Sequence, residues 1–146
     1  MTPYSYEEFI KDIPLIGEDL LNENFDAIVG VARGGLTFAH FLSQLLNQRN
    51  LYTINSIHYE DTKKLEDIEI FNTPNLKDHE KVIVVDDIVD SGDTLDEILT
   101  HLKKEFPNIE FQSASIFYKS TAKISPNYYL HEAKDWIDFF WDKDTR

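Results

Sequence analysis

The chain has 146 residues, 42% of them hydrophobic, which predicts one folded domain over 1–146 without a disordered or fibrous segment. It has no cysteine, so disulfides, thiolate metal sites and cysteine nucleophiles are excluded, and any catalysis must use oxygen and nitrogen groups. The net charge of -13 opposes non-specific binding to nucleic acid. Without a leader-like N-terminus or a long apolar run, the expectation is a cytoplasmic protein with no membrane span.

Ser5 and Glu8 have the spacing of a capping box, and Phe9, Ile10 and Ile13 recur at helical spacing until Pro14. Pro14 is expected to interrupt that helix, with Leu20 and Leu21 in a second short one. DAIVGVA (26–32) reads as a buried strand, RGG as a tight loop, and LTFAHFLSQLLNQ (36–48) as an amphipathic helix. LYTINSIHY (51–59) alternates like a strand, whereas 60–80 is charged and poorly periodic and is expected to be a long mobile connection with at most a short hairpin. KVIVVD (81–86) is the clearest strand, and TLDEILTHLKKEF (94–106) places Leu95, Ile98, Leu99 and Leu102 on one helical face. IEFQSASIFY (109–118) is a further strand. Strands alternating with helices predict an α/β fold with a mainly parallel sheet flanked by helices. Ligands of such sheets bind at the carboxyl ends of the strands, where the loops beginning at Arg33, Asp86 and Lys119 all fall.

Asp86, Asp87, Asp90 and Asp93 crowd negative charge at the end of an apolar strand, an arrangement with a cost unless a ligand uses it. DSGDT (90–94) sits where a strand hands over to a helix, so its backbone N–H groups and the helix dipole form an anion cradle, with hydroxyls from Ser91 and Thr94. The alternative for this turn alone is an ordinary helix cap. An EF-hand is excluded because Ile88 stands where its second ligand belongs. A receiver domain is excluded because too little chain follows Asp87. Adjacent acids suited to vicinal hydroxyls, beside a phosphate turn, imply a phosphorylated ribose.

VIVVDDIVDSGDTL resembles the phosphoribosyl pyrophosphate signature of type I phosphoribosyltransferases. VGVARGGLTFAHFLSQLL, SASIFYKSTAK and DWIDFFWDK are similar to stretches of one branch of that family, the bacterial xanthine-guanine enzymes. The resemblance implies a type I phosphoribosyltransferase-like fold with a lid at about 60–73 and a C-terminal hood at about 126–146. It implies that Asp86 and Asp87 hold the ribose hydroxyls, and that Asp90, Ser91, Gly92, Asp93 and Thr94 bind the 5′-phosphate, with Asp90 also exchanging a proton at the purine N7. Arg33 and the Gly34 peptide would contact pyrophosphate, helped by a lid lysine for which Lys63 and Lys64 are both candidates. Lys119 would read the 6-oxo group, Trp136 would cover the base, and the Ile137 backbone would meet its 2-position. Asp87 and Asp142 would serve a magnesium ion. On the residues alone, Lys119 also fits a solvated strand end, and Trp136 and Trp141 also fit a core. Asp93 stands where relatives often carry Gly or Lys, and is expected to turn its carboxylate to solvent.

The activity implied is purine salvage: a 6-oxopurine (guanine, xanthine or hypoxanthine) and phosphoribosyl pyrophosphate giving a nucleotide and pyrophosphate, with Mg²⁺ as cofactor and a homo-oligomer as the working form. The alternative is a non-catalytic regulatory protein of the same fold that responds to a nucleotide.

Overall fold

The computed structural model describes residues 1–59 and 67–143. Eight strands and three helices are assigned among them: β1 (Thr2–Tyr4), α1 (Tyr6–Leu21), β2 (Ala27–Ala32), α2 (Leu36–Leu45), β3 (Leu51–Tyr59), β4 (Asp67–Phe71), β5 (Lys81–Val89), α3 (Asp93–Glu105), β6 (Glu110–Tyr118), β7 (Tyr128–Glu132) and β8 (Ile137–Phe139). The main sheet has six strands in the order β4-β3-β2-β5-β6-β7, parallel except for the antiparallel β3–β4 edge pair.

Period-two alternation on the two central strands feeds two cores, as a sheet covered on both faces requires. Ile28, Ile83 and Val85 face α1 and α2, where they meet Ile16, Leu20, Phe38 and Leu42. Their strand neighbours Val29, Val82 and Val84 face α3 and its Leu95, Ile98 and Leu102. No described helix is long and apolar enough to cross a membrane.

α1 is one helix, not two: it starts at the capping box, with Glu8 N–H donating to Ser5 Oγ, and passes through Pro14 to Leu21. The proline sits on the exposed face, as does Ile10, whose carbonyl it leaves without a helical donor. On the opposite face Phe9, Ile13, Ile16 and Leu20 are all buried, and at about 1.5–3 kcal/mol each their burial exceeds the roughly 3 kcal/mol cost of an internal proline.

Within the segment expected to be mobile, DIEIF forms β4, registered on β3 from Asn55↔Phe71 to Tyr59↔Asp67. Three short strands, β1, β7 and β8, were not expected. β1 and β8 form a separate parallel pair, with Thr2 N–H donating to the Trp136 carbonyl at 2.7 Å. Tyr4 carries this pair into the core, edge-on to Phe117, Phe139 and Trp141, and its hydroxyl donates to Asp12 of α1 at 2.6 Å.

Candidate active site

β5 reaches three residues further than its apolar run suggests, because β6 stays paired with it through Val89↔Tyr118. Asp86 and Asp87 therefore lie within a strand and not in the loop after it. Asp87 N–H donates to Asp86 Oδ1 at 2.8 Å and Ile88 N–H donates to Asp87 Oδ1 at 2.7 Å, so each carboxylate is fixed by the next peptide. Burial, and then the neighbouring charge of Asp87, hold the Asp86 carboxyl well above the usual carboxylate range. Asp87 is also raised, by burial first and further by the charge of Asp142.

On the other side of β5 the ladder with β2 ends at Gly30↔Val85, which opens space for the loop after β2. The Ala32–Arg33 peptide is cis, and the Arg33 side chain is exposed. A Cβ at Gly34 would stand 2.5 Å from Asp87 Oδ2, so only glycine lets this loop lie against the carboxylate.

The turn from β5 into α3 has Gly92 at φ +87° as N-cap, without a side-chain cap on the helix. Ser91 Oγ accepts a long hydrogen bond from Asp93 N–H at 3.2 Å. The 119–125 segment backs this turn: Lys123 N–H donates to the Ser91 carbonyl at 2.8 Å, and a Cβ on Gly92 would come within 3.1 Å of two of its peptide nitrogens. Asp93 does not simply face solvent as expected. The Lys123 ammonium lies 3.4 Å from Asp93 and 3.1 Å from Asp96, so the two first-turn acids of α3 share one cation.

The resulting cleft, of about 260 Å³, is lined by His58, Asp86, Asp90, Ser91, Gly92 and Thr94 among others. At its mouth Lys119 Nζ lies 2.8 Å from Asp90 Oδ1, the two groups held together because Lys119 N–H donates to the Val89 carbonyl. His58 was not singled out in the sequence, yet its Nε2 lies 2.8 Å from Thr94 Oγ1. The signal available was its place at the carboxyl end of a strand, the end at which such sheets bind ligands.

In the C-terminal part, Trp136 is 60% exposed, whereas Ile137 is buried. The parallel register Thr2↔Ile137 uses the Trp136 carbonyl and directs Ile137's own N–H and C=O to the other edge of β8. Trp141 is half-buried, stacked on Phe139 at 4.8 Å, and its indole N–H makes no regular hydrogen bond but favours the Asp87 carboxylate. Lys63 and Lys64 lie outside the described residues.

No group of three or more metal-ligating side chains occurs among the described residues. Two carboxylates, Asp87 and Asp142, are near enough to raise one of them electrostatically. Such a sparse oxygen set fits a hard cation that keeps water and substrate phosphate as most of its ligands, which is the habit of Mg²⁺.

A model of the phosphoribosyl transferase domain matches residues 12–144. A xanthine-guanine phosphoribosyltransferase of Idiomarina loihiensis is 30% identical over 123 residues, covering 82% of this chain and 73% of its own. Among solved structures, the Helicobacter pylori xanthine-guanine-hypoxanthine phosphoribosyltransferase superposes with a TM-score of 0.89 at 41% identity, covering 96% of this chain and 92% of its own. A purine phosphoribosyltransferase from Pyrococcus horikoshii follows at 0.85 and 31%, covering 98% and 95%.

Proposed function

Because this chain belongs to the phosphoribosyl transferase family, we propose that it is a purine salvage enzyme transferring the phosphoribosyl group of phosphoribosyl pyrophosphate to guanine, xanthine or hypoxanthine. The observation that carries the choice of base is the Lys119–Asp90 pair at 2.8 Å, at the mouth of the sugar-phosphate cleft. A 6-oxopurine presents an acceptor, O6, beside N7–H. Inserted between the two side chains, it takes over both: Lys119 donates to O6, and Asp90 accepts from N7. An ammonium is donor only, so the 6-amino group of adenine has no partner there.

The N9 lone pair attacks the anomeric carbon while the bond from that carbon to pyrophosphate breaks, and the N7 proton passes to Asp90. Positive charge grows on the sugar in the transition state, and the fixed negative field of Asp86, Asp87 and Asp90 stabilises it there. Asp86 and Asp87 accept from the ribose hydroxyls. Ser91, Gly92, Asp93 and Thr94 hold the 5′-phosphate at the α3 N-terminus. Arg33 and the Gly34 peptide meet the pyrophosphate, which the exposure of Arg33 and the approach of Gly34 to Asp87 support. Trp136 offers an exposed indole face to the base, with the Ile137 backbone beside its 2-position. Asp87 and Asp142 would hold Mg²⁺, which when bound neutralises charge on the leaving pyrophosphate. A cytoplasmic location and a homo-oligomer belong to the same reading.

The test is turnover of each base with phosphoribosyl pyrophosphate and Mg²⁺. Consumption of at least one 6-oxopurine and not of adenine is expected. No turnover with any of them leaves the non-catalytic reading. Asp90→Asn should lower kcat about 10²- to 10⁴-fold, as for loss of a general acid–base, with ribose 5-phosphate binding retained.

A further inference from the structure

The turn that would take the 5′-phosphate carries acids of its own. Gly92 caps α3, and Asp93 and Asp96 stand in the first turn of that helix. Carboxylates at a helix N-terminus stabilise the helix, but they occupy the same positive end that an incoming phosphate needs. Each also repels a phosphate, and a net charge of -13 over the whole chain adds to that repulsion. An anion at this turn meets the backbone N–H of Asp93, whereas the Asp93 side chain can only oppose it.

A lysine is built into the back of the turn. Lys123 N–H donates to the Ser91 carbonyl at 2.8 Å, which fixes where the side chain starts. Its stem then runs across Gly92, where a Cβ would stand 3.2 Å from Lys123 Cγ, so the glycine leaves that path open. The ammonium ends 3.4 Å from Asp93 Oδ1 and 3.1 Å from Asp96 Oδ2. Two partly exposed ion pairs alone are commonly worth little. Here the peptide and the stem are held as well, so the ammonium meets the acids without the loss of freedom that weakens an ordinary surface pair. The other lysine of the 119–125 segment, Lys119, is paired with Asp90.

We propose that Lys123 is a positioning residue for the 5′-phosphate: by holding the carboxylates of Asp93 and Asp96 it offsets their charge, and so leaves the N–H groups of the turn and the N-terminus of α3 open to an anion. The inference rests on the transferase reading for the identity of the phosphate. Lys123 acts through the two acids and not on the substrate. Its loss therefore matters for a ligand that carries a phosphate and not for an uncharged base, and it matters only while the acids are present.

The experiment is a mutant cycle read in steady-state kinetics at saturating Mg²⁺. Lys123→Met keeps an unbranched stem across Gly92 and removes the charge. It is expected to raise KM for phosphoribosyl pyrophosphate about three- to tenfold, the worth of one charge beside a solvated phosphate. KM for hypoxanthine and kcat should each stay within about twofold, which marks the effect as electrostatic and local to the phosphate. Lys123→Arg should keep the low KM. In a protein carrying Asp93→Asn and Asp96→Asn, which retains the backbone N–H groups, Lys123→Met should change KM for phosphoribosyl pyrophosphate by less than about twofold, because no carboxylate is left to offset. A loss of the same size in that background overturns the proposal, since Lys123 would then act on the phosphate itself. An unchanged KM in Lys123→Met, a loss confined to kcat, or an equal loss in the KM for hypoxanthine overturns it too. Should the unsubstituted protein turn over no 6-oxopurine, the transferase reading fails, and calorimetric titration with ribose 5-phosphate then decides on Lys123 by the same ratios in Kd.

Discussion

Asp86 and Asp87 follow one another on β5, and both carboxyls are held above their usual range, Asp86 the further, by burial first and then by the charge of Asp87. A carboxyl raised in the folded state binds more protons there than in the unfolded chain. Stability from this pair therefore falls as pH rises from the ordinary carboxylate range, about pH 4, toward the raised folded value. Through that window, burial and the neighbouring charge make ionisation of the pair cost stability in the ligand-free protein. Asp86→Asn should accordingly raise Tm by a few degrees at about pH 7.5, since each pH unit of elevation is worth roughly 1.4 kcal/mol. The gain should vanish near about pH 3, where aspartate is largely protonated in both states. The same variant should bind ribose 5-phosphate more weakly; thermal melts at the two pH values and a titration check both halves, and a lower Tm at neutral pH would contradict the account. This cluster was legible in the sequence because Asp86, Asp87, Asp90 and the DSGDT turn lie within nine consecutive positions. The partners of Asp93 and Thr94 were not. Lys123 and His58 reach them only through the fold, across 30 and 36 positions, and neither stands in a local pattern that marks it.

At the scale of elements, the strands read correctly were those whose residues alone specify burial. DAIVGVA, LYTINSIHY and IEFQSASIFY each became a strand within a residue of the expected ends. Errors arose where tertiary pairing overrides local signals. Pro14 was expected to interrupt a helix that Ile16 and Leu20 hold together from beyond it; β4, by contrast, is a short hairpin arm of the kind allowed within 60–80, paired antiparallel on the edge of β3. β1 and β8 have only three residues each and depend wholly on one another. That dependence joins the chain's first residues to the proposed base site, because Thr2 N–H anchors the carbonyl of Trp136 itself. Thr2→Pro removes this donor while leaving an extended backbone. The expected result is a KM for the purine raised about three- to tenfold, the worth of one backbone hydrogen bond, with KM for phosphoribosyl pyrophosphate unchanged within twofold. Equal effects on both constants would show that the β1–β8 pair stabilises the whole site and not its base-binding part.

For the molecule as a whole, alternating strands and helices were enough to anticipate a mainly parallel sheet, but not the order β4-β3-β2-β5-β6-β7, which no local pattern encodes. Net charge, by contrast, is a property of the whole chain that the sequence states directly, and it has a consequence for binding. A protein of net charge -13 repels a polyanionic substrate at long range, while the N-terminus of α3 and the cations of the site attract it only at close range. Salt separates the two contributions. Raising ionic strength from about 0.01 M to about 0.15 M shortens the screening length from about 30 Å to about 8 Å, which suppresses the distant repulsion more than contacts of about 3 Å. Under saturating Mg²⁺, KM for phosphoribosyl pyrophosphate should therefore fall by about twofold over that range, while KM for the uncharged base hypoxanthine stays constant. Steady-state kinetics in KCl measure this directly. A KM for phosphoribosyl pyrophosphate that rises steadily with salt would mean that attraction from the site's own cations already dominates at a distance, contrary to the charge distribution inferred from the sequence.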